Sequence, residues 1–249
     1  MVDANELLEF ARDAHVLVLE DNAHGLGATY RGKYLGTLGV LAAQSFHDTK
    51  NVHSGEGGAL LVNDGDLLER AEIIREKGTN RSRFLRGQVD KYTWVDLGSS
   101  YLMSELSAAV LDSQLSEFHT IQRLRHEVWD RYALELASWA DTSGESLMHI
   151  PSDREHPAHL FYLLMPNENS RDDLLSHLCN HGVIGTFHYI PLDNSPAGLA
   201  LGRTPQPCEN AHSFSSRLVR LPLWAGMDKR SVDRVIDAVS SFRGLLARE

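Results

Sequence analysis

The sequence has few cysteines, a deficit of positive charge and no long apolar run. Its two cysteines, Cys179 and Cys208, are too few for a disulfide framework and give no paired metal-ligand spacing. No stretch reaches the roughly eighteen consecutive apolar residues of a membrane span, and the first residues lack the basic start and apolar core of a secretion signal. The composition therefore predicts a globular protein, no membrane association and, by default, a cytoplasmic location.

Charge and histidine content argue against two further classes of ligand. The chain of 249 residues carries a formal net charge of −10, so it lacks the clustered lysine and arginine that a nucleic-acid surface needs. Thirteen histidines are scattered along it, and no H-E-x-x-H motif is present. The sequence therefore predicts neither nucleic-acid binding nor a metal site.

The first part of the chain alternates helical and strand patterns. Asp3 can cap a first helix, with Glu6 three residues later, and Asp64 can cap another. Three short apolar runs are typical of buried strands, namely "HVLVLE" (15–20), "VLAAQSF" (40–46) and "ALLVN" (59–63). This alternation predicts an α/β layer structure. A cofactor-binding sheet normally has more strands than these, so the chain is expected to begin inside a domain.

The second part has a different pattern. A long helical periodicity follows Ser104 and continues to Leu136. Beyond it the chain changes to short α+β units, and this change predicts a domain boundary within or just after the long helix. The predicted elements are a strand at 159–165, a capped helix at 170–182 that ends at Gly182, a strand at 183–191 and a helix from Asp228 to Phe242.

Polar residues follow two of the apolar runs. Glu20 and Asp21 close the first run and lead into a turn with His24, whereas Ser45 and Lys50 follow the second. Ligands of open α/β sheets bind beyond the carboxyl ends of the strands. The glycine-rich turn at 55–58 also lets backbone pass close to a ligand. The sequence therefore predicts one cleft that presents a carboxylate, a hydroxyl and an amine.

This trio matches the needs of pyridoxal 5'-phosphate (PLP). The cofactor requires a lysine for its Schiff base, an acid that keeps the pyridine nitrogen protonated, and donors for its phosphate. Taken singly, each feature has a simpler interpretation: Asp21 as a turn residue, Lys50 as a solvated charge and the glycines as a hairpin turn. The combination favours the cofactor.

Longer stretches carry a family resemblance. "EDNAHG", "SFHDTKN…GEGGALLVND" and "GSSYLMSELSAAVLDSQL" resemble the DegT/StrS family of sugar-nucleotide aminotransferases. The resemblance runs from about Val2 to the C-terminus. It implies the PLP-dependent aspartate-aminotransferase (type I) fold, with the C-terminal part of the large PLP-binding domain over 1–125 and a small α+β domain over 126–249. The stretches at 75–102 and 187–192 most resemble family enzymes that make dTDP-4-amino-4,6-dideoxygalactose.

The resemblance also implies roles for individual residues. Lys50 forms the Schiff base and shuttles the proton, Asp21 pairs with the pyridine nitrogen, and His24 lies near the cofactor 3-oxygen. Ser45 binds the phosphate. Ser100, where the family commonly has asparagine, contacts the phosphate of the neighbouring subunit in a homodimer with shared active sites. Four more residues lie in motifs like the family's substrate-facing loops, or equally serve as surface charge and strand packing: Arg81, Arg86, His188 and Tyr189.

The implied reaction is a transamination on a nucleotide sugar. Glutamate is the expected amino donor, and C4 of dTDP-4-keto-6-deoxyglucose is the expected acceptor, for a surface polysaccharide such as enterobacterial common antigen or O-antigen. A sugar 3-aminotransferase is an alternative. A related sugar dehydratase has histidine in place of the Schiff-base lysine, and Lys50 argues against it.

A non-catalytic fragment that dimerises or binds nucleotide sugar is a further alternative. Family members carry an N-terminal part with a Gly-Thr helix start and a ring-stacking aromatic, and the chain lacks both. It is therefore expected to be a C-terminal portion that is a poor enzyme alone.

One long basic segment suggests the substrate. The stretch "KGTNRSRFLRGQVDKYTW" (77–94) is too long for a simple connection between strand-helix units. A positive cluster on an acidic protein suits an anionic ligand such as the diphosphate of a nucleotide sugar. A solvated loop that covers a dimer partner is the alternative. The basic residues are Lys77, Arg81, Arg83, Arg86 and Lys91.

Overall fold

The computed structural model describes residues 3–143 and 145–243. The chain forms two compact units: unit 1 comprises the residues up to Phe118 together with Pro151–Pro157, and unit 2 comprises His119–Ile150 and the residues from Ala158 onward. The units are defined by contacts within this chain and do not test the predicted boundary between the family's two domains at 125–126, which stays a prediction. No helix in the described residues is long and apolar enough to cross a membrane.

The secondary structure consists of short strands and mostly short helices. The strands are β1 (Leu19–Asp21), β2 (Thr29–Tyr30), β3 (Lys33–Tyr34), β4 (Leu41–Ser45), β5 (Gly58–Val62), β6 (Ser146–Leu147), β7 (Arg154–Glu155), β8 (Phe161–Leu164), β9 (Thr186–Phe187) and β10 (Leu218–Leu221). The α-helices are α1 (Ala4–Asp13), α2 (Leu68–Arg75), α3 (Arg81–Leu85), α4 (Glu105–Ser116), α5 (Phe118–Glu135), α6 (Ala137–Ser143), α7 (Glu168–Asn180), α8 (Pro196–Leu201), α9 (Glu209–Arg217) and α10 (Lys229–Ser241).

Unit 1 contains two small sheets. In the first, β1 pairs in parallel with β4, and β4 pairs antiparallel with β5. In the second, β2 lies between β3 and β7, and both pairings are antiparallel. The buried Tyr30 of β2 donates its hydroxyl hydrogen to Asp3, the N-cap residue of α1, over 2.8 Å. This hydrogen bond ties the second sheet to the first helix.

The predicted strand at 15–20 is wrong in length and burial. Only its last two residues belong to β1, and Val16 and Leu17 are exposed. Within the described residues β1 pairs along one edge alone, with β4, so nothing there covers the preceding apolar residues. The other two predicted strands of this sheet are confirmed as β4 and β5.

Helix starts follow the predicted caps, whereas one helix is broken. Asp3 accepts from the N–H of Asn5, and Asp64 accepts from Asp66 in a 3-10 turn that leads into α2. Ser104 caps α4 by accepting from Ser107. The long helix predicted beyond Ser104 divides at Glu117 into α4 and α5.

Unit 2 is built around a four-stranded antiparallel sheet in the order β6-β8-β10-β9. Phe161 of β8 lies at the centre of its core, with the rings of Trp129 and Tyr132 edge-on at 5.3 and 5.4 Å. Burial raises the pKa of Tyr132, whose hydroxyl donates to the Pro222 carbonyl over 2.9 Å. These aromatic contacts pack α5 against the sheet.

The predicted elements of unit 2 are confirmed except for one strand. β8, α7 and α10 lie where the pattern places them, and α10 is capped by Asp228. The cap of α7 is Asn167, which accepts from Ser170, so this helix begins earlier than predicted. The predicted strand at 183–191 is reduced to β9, because among the described residues β9 is an edge strand that pairs only with β10, and it ends before Pro191.

Candidate active site

The ends of two parallel strands place Asp21 and Ser45 at the same edge of the first sheet. Asp21 is the last residue of β1 and Ser45 the last of β4, and Asp21 lies opposite Ala43 in the ladder. Their strands are neighbours in the sheet and run parallel. The carboxyl ends of such strands are where ligands of open α/β sheets bind.

Asp21 faces away from the loop that follows β3. Successive side chains of a strand point to opposite faces of the sheet. The side chain of Glu20 contacts the loop at 36–39, so that of its neighbour Asp21 lies on the opposite face. Its carboxylate is exposed and accepts the N–H of Ala23 over 3.1 Å. His24 lies in the turn immediately after this hydrogen bond and is also exposed. A carboxylate that accepts a single local hydrogen bond keeps acceptor positions for a ligand.

Lys50 lies in a tight turn after Ser45. The Oγ of Ser45 accepts from the N–H of His47 at 3.4 Å, and the Lys50 N–H donates to the His47 carbonyl at 3.0 Å. The Lys50 side chain is half-buried. No carboxylate in residues 3–143 or 145–243 forms an ion pair with its amine, so the amine is not held by an internal counter-charge.

Glu20 and Asn63 hold the loop at 36–39 from both sides. The Glu20 carboxylate accepts from the N–H groups of Gly36, Leu38 and Gly39 at 2.8, 2.7 and 2.8 Å. The Asn63 side-chain amide donates to the carbonyls of Gly36 and Gly39, each at 2.9 Å. This loop leads directly into β4. Glu20 therefore sets the position of β4 beside β1, a role that the sequence pattern did not reveal.

We expect Glu20→Ala to lower the free energy of unfolding by about 3 kcal/mol, because it leaves three backbone N–H groups without their charged acceptor. Urea unfolding followed by circular dichroism measures the change. The matched control Glu9→Ala removes an exposed carboxylate and should stay within about 0.5 kcal/mol of the unaltered protein. Equal stability of the two variants would show that the loop does not depend on Glu20.

A buried amide pair joins the same two strand ends. The side-chain amide of Asn22 donates to the Gln44 side-chain oxygen at 2.8 Å and to the Leu35 carbonyl at 3.1 Å. Both residues are buried, and each is adjacent in sequence to a predicted site residue. Buried side-chain hydrogen bonds fix local geometry. This pair therefore links the segment that carries Asp21 to the one that carries Ser45. Nothing in the sequence beyond two amides near strand ends indicated it.

The predicted basic segment is largely neutralised within unit 1. Arg81 pairs with the buried Glu76, Arg83 with Glu69, and Arg86 with Glu72. The last pair is bidentate, with both N–O distances 2.7 Å, and its hydrogen bonds lower the pKa of Glu72. An anionic ligand at these guanidinium groups would have to compete with carboxylates that already occupy them.

Ser100 lies beside the same segment. It forms an isolated antiparallel bridge with Glu76, and its side chain is exposed. The residues around it present apolar side chains outward, including Trp94 at 74% exposure and Leu97 at 76%. Exposed apolar clusters of this kind mark association surfaces.

His188 and Tyr189 belong to unit 2 and follow β9 directly. Their ring centroids are 5.5 Å apart. His188 is half-buried, whereas Tyr189 is exposed. His188 lines a cavity of about 670 Å³ within this unit, with Phe187, Ile190 and Pro191 as its apolar wall.

One histidine pair has closer spacing than the sequence interpretation recognised. His177 and His181 are four residues apart at the C-terminal end of α7, with ring centroids 4.2 Å apart. The Nε2 of His177 lies 2.9 Å from the Ala238 carbonyl. Across residues 3–143 and 145–243, no group of three or more histidine, cysteine or acidic side chains is arranged to hold a metal ion. The pair therefore packs α7 against α10.

Comparison with known proteins gives relatives along nearly the whole chain. It is 31% identical over 243 residues to the dTDP-3-amino-3,4,6-trideoxy-alpha-D-glucose transaminase of Streptomyces venezuelae, covering 96% of this chain and 60% of that protein. It is 28% identical to the GDP-perosamine synthase of Caulobacter vibrioides, covering 95% and 62%. The chain thus spans about three fifths of the length of these relatives.

The fold comparison agrees with the sequence comparison. The crystal structure of S. venezuelae DesV in complex with a ketimine intermediate superposes with a TM-score of 0.83 at 29% identity, covering 98% of this chain and 63% of that one. These relatives belong to a family of PLP-dependent aminotransferases. With residues 1–240 matching its family model, the chain belongs to the DegT/DnrJ/EryC1/StrS aminotransferase family.

Proposed function

We propose that this chain carries cofactor-binding and catalytic side chains of a PLP-dependent sugar aminotransferase. The observation that carries the proposal is the shared edge of β1 and β4, where Asp21 and Ser45 end parallel neighbours and Lys50 follows in the next turn. The donor set fits the cofactor, because it offers a carboxylate, a hydroxyl and an amine without an internal carboxylate partner in the described residues. When bound, PLP supplies an electron sink for a carbon that loses a proton.

Each residue has one task in this proposal. Lys50 would hold the cofactor covalently and would serve as a general base. Asp21 would keep the ring nitrogen protonated through a charge-assisted hydrogen bond. Ser45 would donate to the phosphate, and His24 would lie on the side of the 3-oxygen. Ser100 would contact the phosphate bound by a second copy of the chain.

A homodimer with shared active sites follows from the same proposal. Ser100 lies in a segment whose apolar side chains are exposed, with Leu97 at 76% and Leu106 at 82%. A second copy that covers this segment would bury apolar surface and bring Ser100 to its own site.

We propose a nucleotide-linked 4-keto-6-deoxy sugar as the amino acceptor and glutamate as the donor. One relative is named for a dTDP-linked amino sugar and another for GDP-perosamine. These names support a nucleotide sugar as the substrate. The assignment to C4 of dTDP-4-keto-6-deoxyglucose rests on the resemblance of the segments at 75–102 and 187–192. Arg81 and Arg86 would release their carboxylate partners, Glu76 and Glu72, and bind the diphosphate instead. His188 and Tyr189 would face the sugar.

Product analysis tests this substrate. With the protein as its gene encodes it, PLP, glutamate and dTDP-4-keto-6-deoxyglucose, we expect dTDP-4-amino-4,6-dideoxygalactose and an equal amount of 2-oxoglutarate. Mass spectrometry measures the amine, and NMR assigns its carbon and configuration. Omission of glutamate is the control. Amination at C3 would favour the 3-aminotransferase that one relative's name describes, and turnover of free sugars alone would remove the nucleotide from the proposal.

A second candidate is a module that binds nucleotide sugar or dimerises without catalysis. The exposed Val16 and Leu17 before β1 favour it, since these apolar side chains lack a covering layer in the described residues and could bury against a partner. In the same experiment, saturable binding of the dTDP sugar without any amine product would support this candidate against the enzyme.

A further inference from the structure

Arg220 lies beside the segment that carries His188 and Tyr189. It belongs to β10 and stands opposite Thr186 of β9 in the antiparallel ladder, two residues before His188. Cross-strand neighbours in such a ladder are close enough for their side chains to interact. A long side chain from Arg220 can therefore extend along the residues that follow β9.

The guanidinium contacts the residues on either side of His188. Its Nη2 donates to the Phe187 carbonyl over 3.2 Å, and its central carbon lies 5.8 Å from the centre of the Tyr189 ring. The second distance is within the range of a cation–π interaction. One rigid group thus holds both the backbone before the imidazole and the ring after it.

The electrostatic setting of His188 is one-sided. Burial, in the first place, and the positive charge of Arg220 lower the pKa of His188. The titratable groups of α7 and α9 that line the cavity have partners: Arg171 pairs with Glu168 and Asp172, and the Nε2 of His212 lies 2.9 Å from Asp193 of the preceding 3-10 turn. In the part of the chain that the structure describes, no carboxylate pairs with Arg220. Its charge therefore acts on His188 without an internal counter-ion.

Two nitrogen atoms here have no hydrogen-bond partner. The Nδ1 of His188 and the Nε of Arg220 are both enclosed, and neither is bonded to another group among residues 3–143 and 145–243. Buried polar atoms without partners are uncommon and indicate a ligand or a water. The cavity beside them has an apolar wall, serine hydroxyls and paired charges, which suits an uncharged polyhydroxyl ligand more than a free anion.

We propose that Arg220 is a positioning residue that fixes the segment Phe187–Tyr189 and so directs the His188 imidazole toward a sugar ligand. His188 then meets a sugar hydroxyl as a neutral group that can accept one hydrogen bond and donate another, whereas an imidazolium can only donate. The inference rests on the proposed function in taking the sugar as the ligand of His188.

NMR titration of the imidazole tests the inference without any turnover. The His188 resonance is assigned by its loss in His188→Gln, and its titration is followed in the unaltered protein, in Arg220→Met and in Arg220→Lys. Arg203→Met is the matched control, because it removes an exposed arginine of the same unit with the same change of net charge. In the unaltered protein we expect a pKa below the ordinary histidine value of 6.5. It should rise in Arg220→Met and stay near the original in Arg220→Lys and in the control.

Catalysis supplies a second measurement. In Arg220→Met we expect kcat/KM for the sugar to fall on the order of tenfold at pH 6 and to change much less at pH 8, because only the lower pH populates the charged imidazole. A role confined to folding would lower both values alike, and that outcome would overturn the inference.

The titration also decides the matter if the methionine variant does not fold. A His188 pKa at or above the ordinary value in the unaltered protein, or one that is the same in Arg220→Met, overturns the inference. Absence of transamination by the unaltered protein would instead overturn the proposed function and leave the titration result in place, so the two failures are distinguishable.

Discussion

Replacing Lys50 by alanine is expected to abolish transamination, with a fall of at least about 10³-fold in turnover. The reason is that in the proposed function one amine both attaches the cofactor and moves the proton, and no other lysine follows the shared edge of β1 and β4 before β5 begins. The lost groups are only three methylenes and the ammonium of a half-buried side chain, so the fold should persist.

Two measurements separate attachment from activity. Borohydride reduction followed by peptide mass spectrometry locates the modified lysine, and the visible absorbance of the lysine-bound cofactor reports attachment in solution. Lys33→Ala, which removes an exposed lysine of β3 in the same unit, is the control and should keep both signals. A reducible lysine–cofactor adduct that persists in Lys50→Ala would remove Lys50 from this role.

The second large effect is expected at Asp21. Asp21→Asn should lower turnover at least about a hundredfold, which corresponds to about 2.7 kcal/mol of barrier. Asparagine keeps an oxygen that can accept the Ala23 N–H at 3.1 Å, so the turn should hold while the negative charge is lost. Without that charge the ring nitrogen loses its proton and the cofactor becomes a weaker electron sink.

Comparing turnover with cofactor affinity shows whether the loss comes from the missing charge beside the ring nitrogen or from weaker cofactor binding. Steady-state kinetics give kcat, and quenching of protein fluorescence gives the dissociation constant of PLP, which should change less than kcat does. Asp66→Asn, at an exposed position in the 3-10 turn before α2, controls for the general loss of a carboxylate. Turnover within about twofold of the original would count against Asp21 as the partner of the ring nitrogen.

Local signals in the sequence predicted local structure well. Asp3 and Asp64 accept the N-terminal hydrogen bonds expected of caps, because such a bond depends on residues within one turn. The strand ends at Asp21 and Ser45 were also predictable, since apolar runs closed by polar residues indicate where a buried strand stops. Family membership followed from longer stretches around these same ends.

What the sequence could not show depends on partners distant along the chain. The true extent of β1 and β9 is decided by which strand lies beside them, and each pairs along one edge only in the described residues. The hydrogen bonds between Glu20 and the loop at 36–39 join residues at least sixteen positions apart. The carboxylates that neutralise Arg83 and Arg86 come from α2, fourteen residues earlier, so a basic segment in the sequence is not a basic surface in the fold.

The division of the chain has a consequence for modular exchange. The polypeptide passes between the units at 118–119, returns at 150–151 and leaves again at 157–158. The returning segment supplies β7, which completes the sheet of β2, and the Thr29 hydroxyl donates to Glu155 over 3.0 Å. A single crossover near residue 118 would combine the first part of unit 1 from one parent protein with β7 from the other parent. Productive chimaeras with relatives therefore need crossovers on both sides of Pro151–Pro157, so that this segment is inherited together with β2.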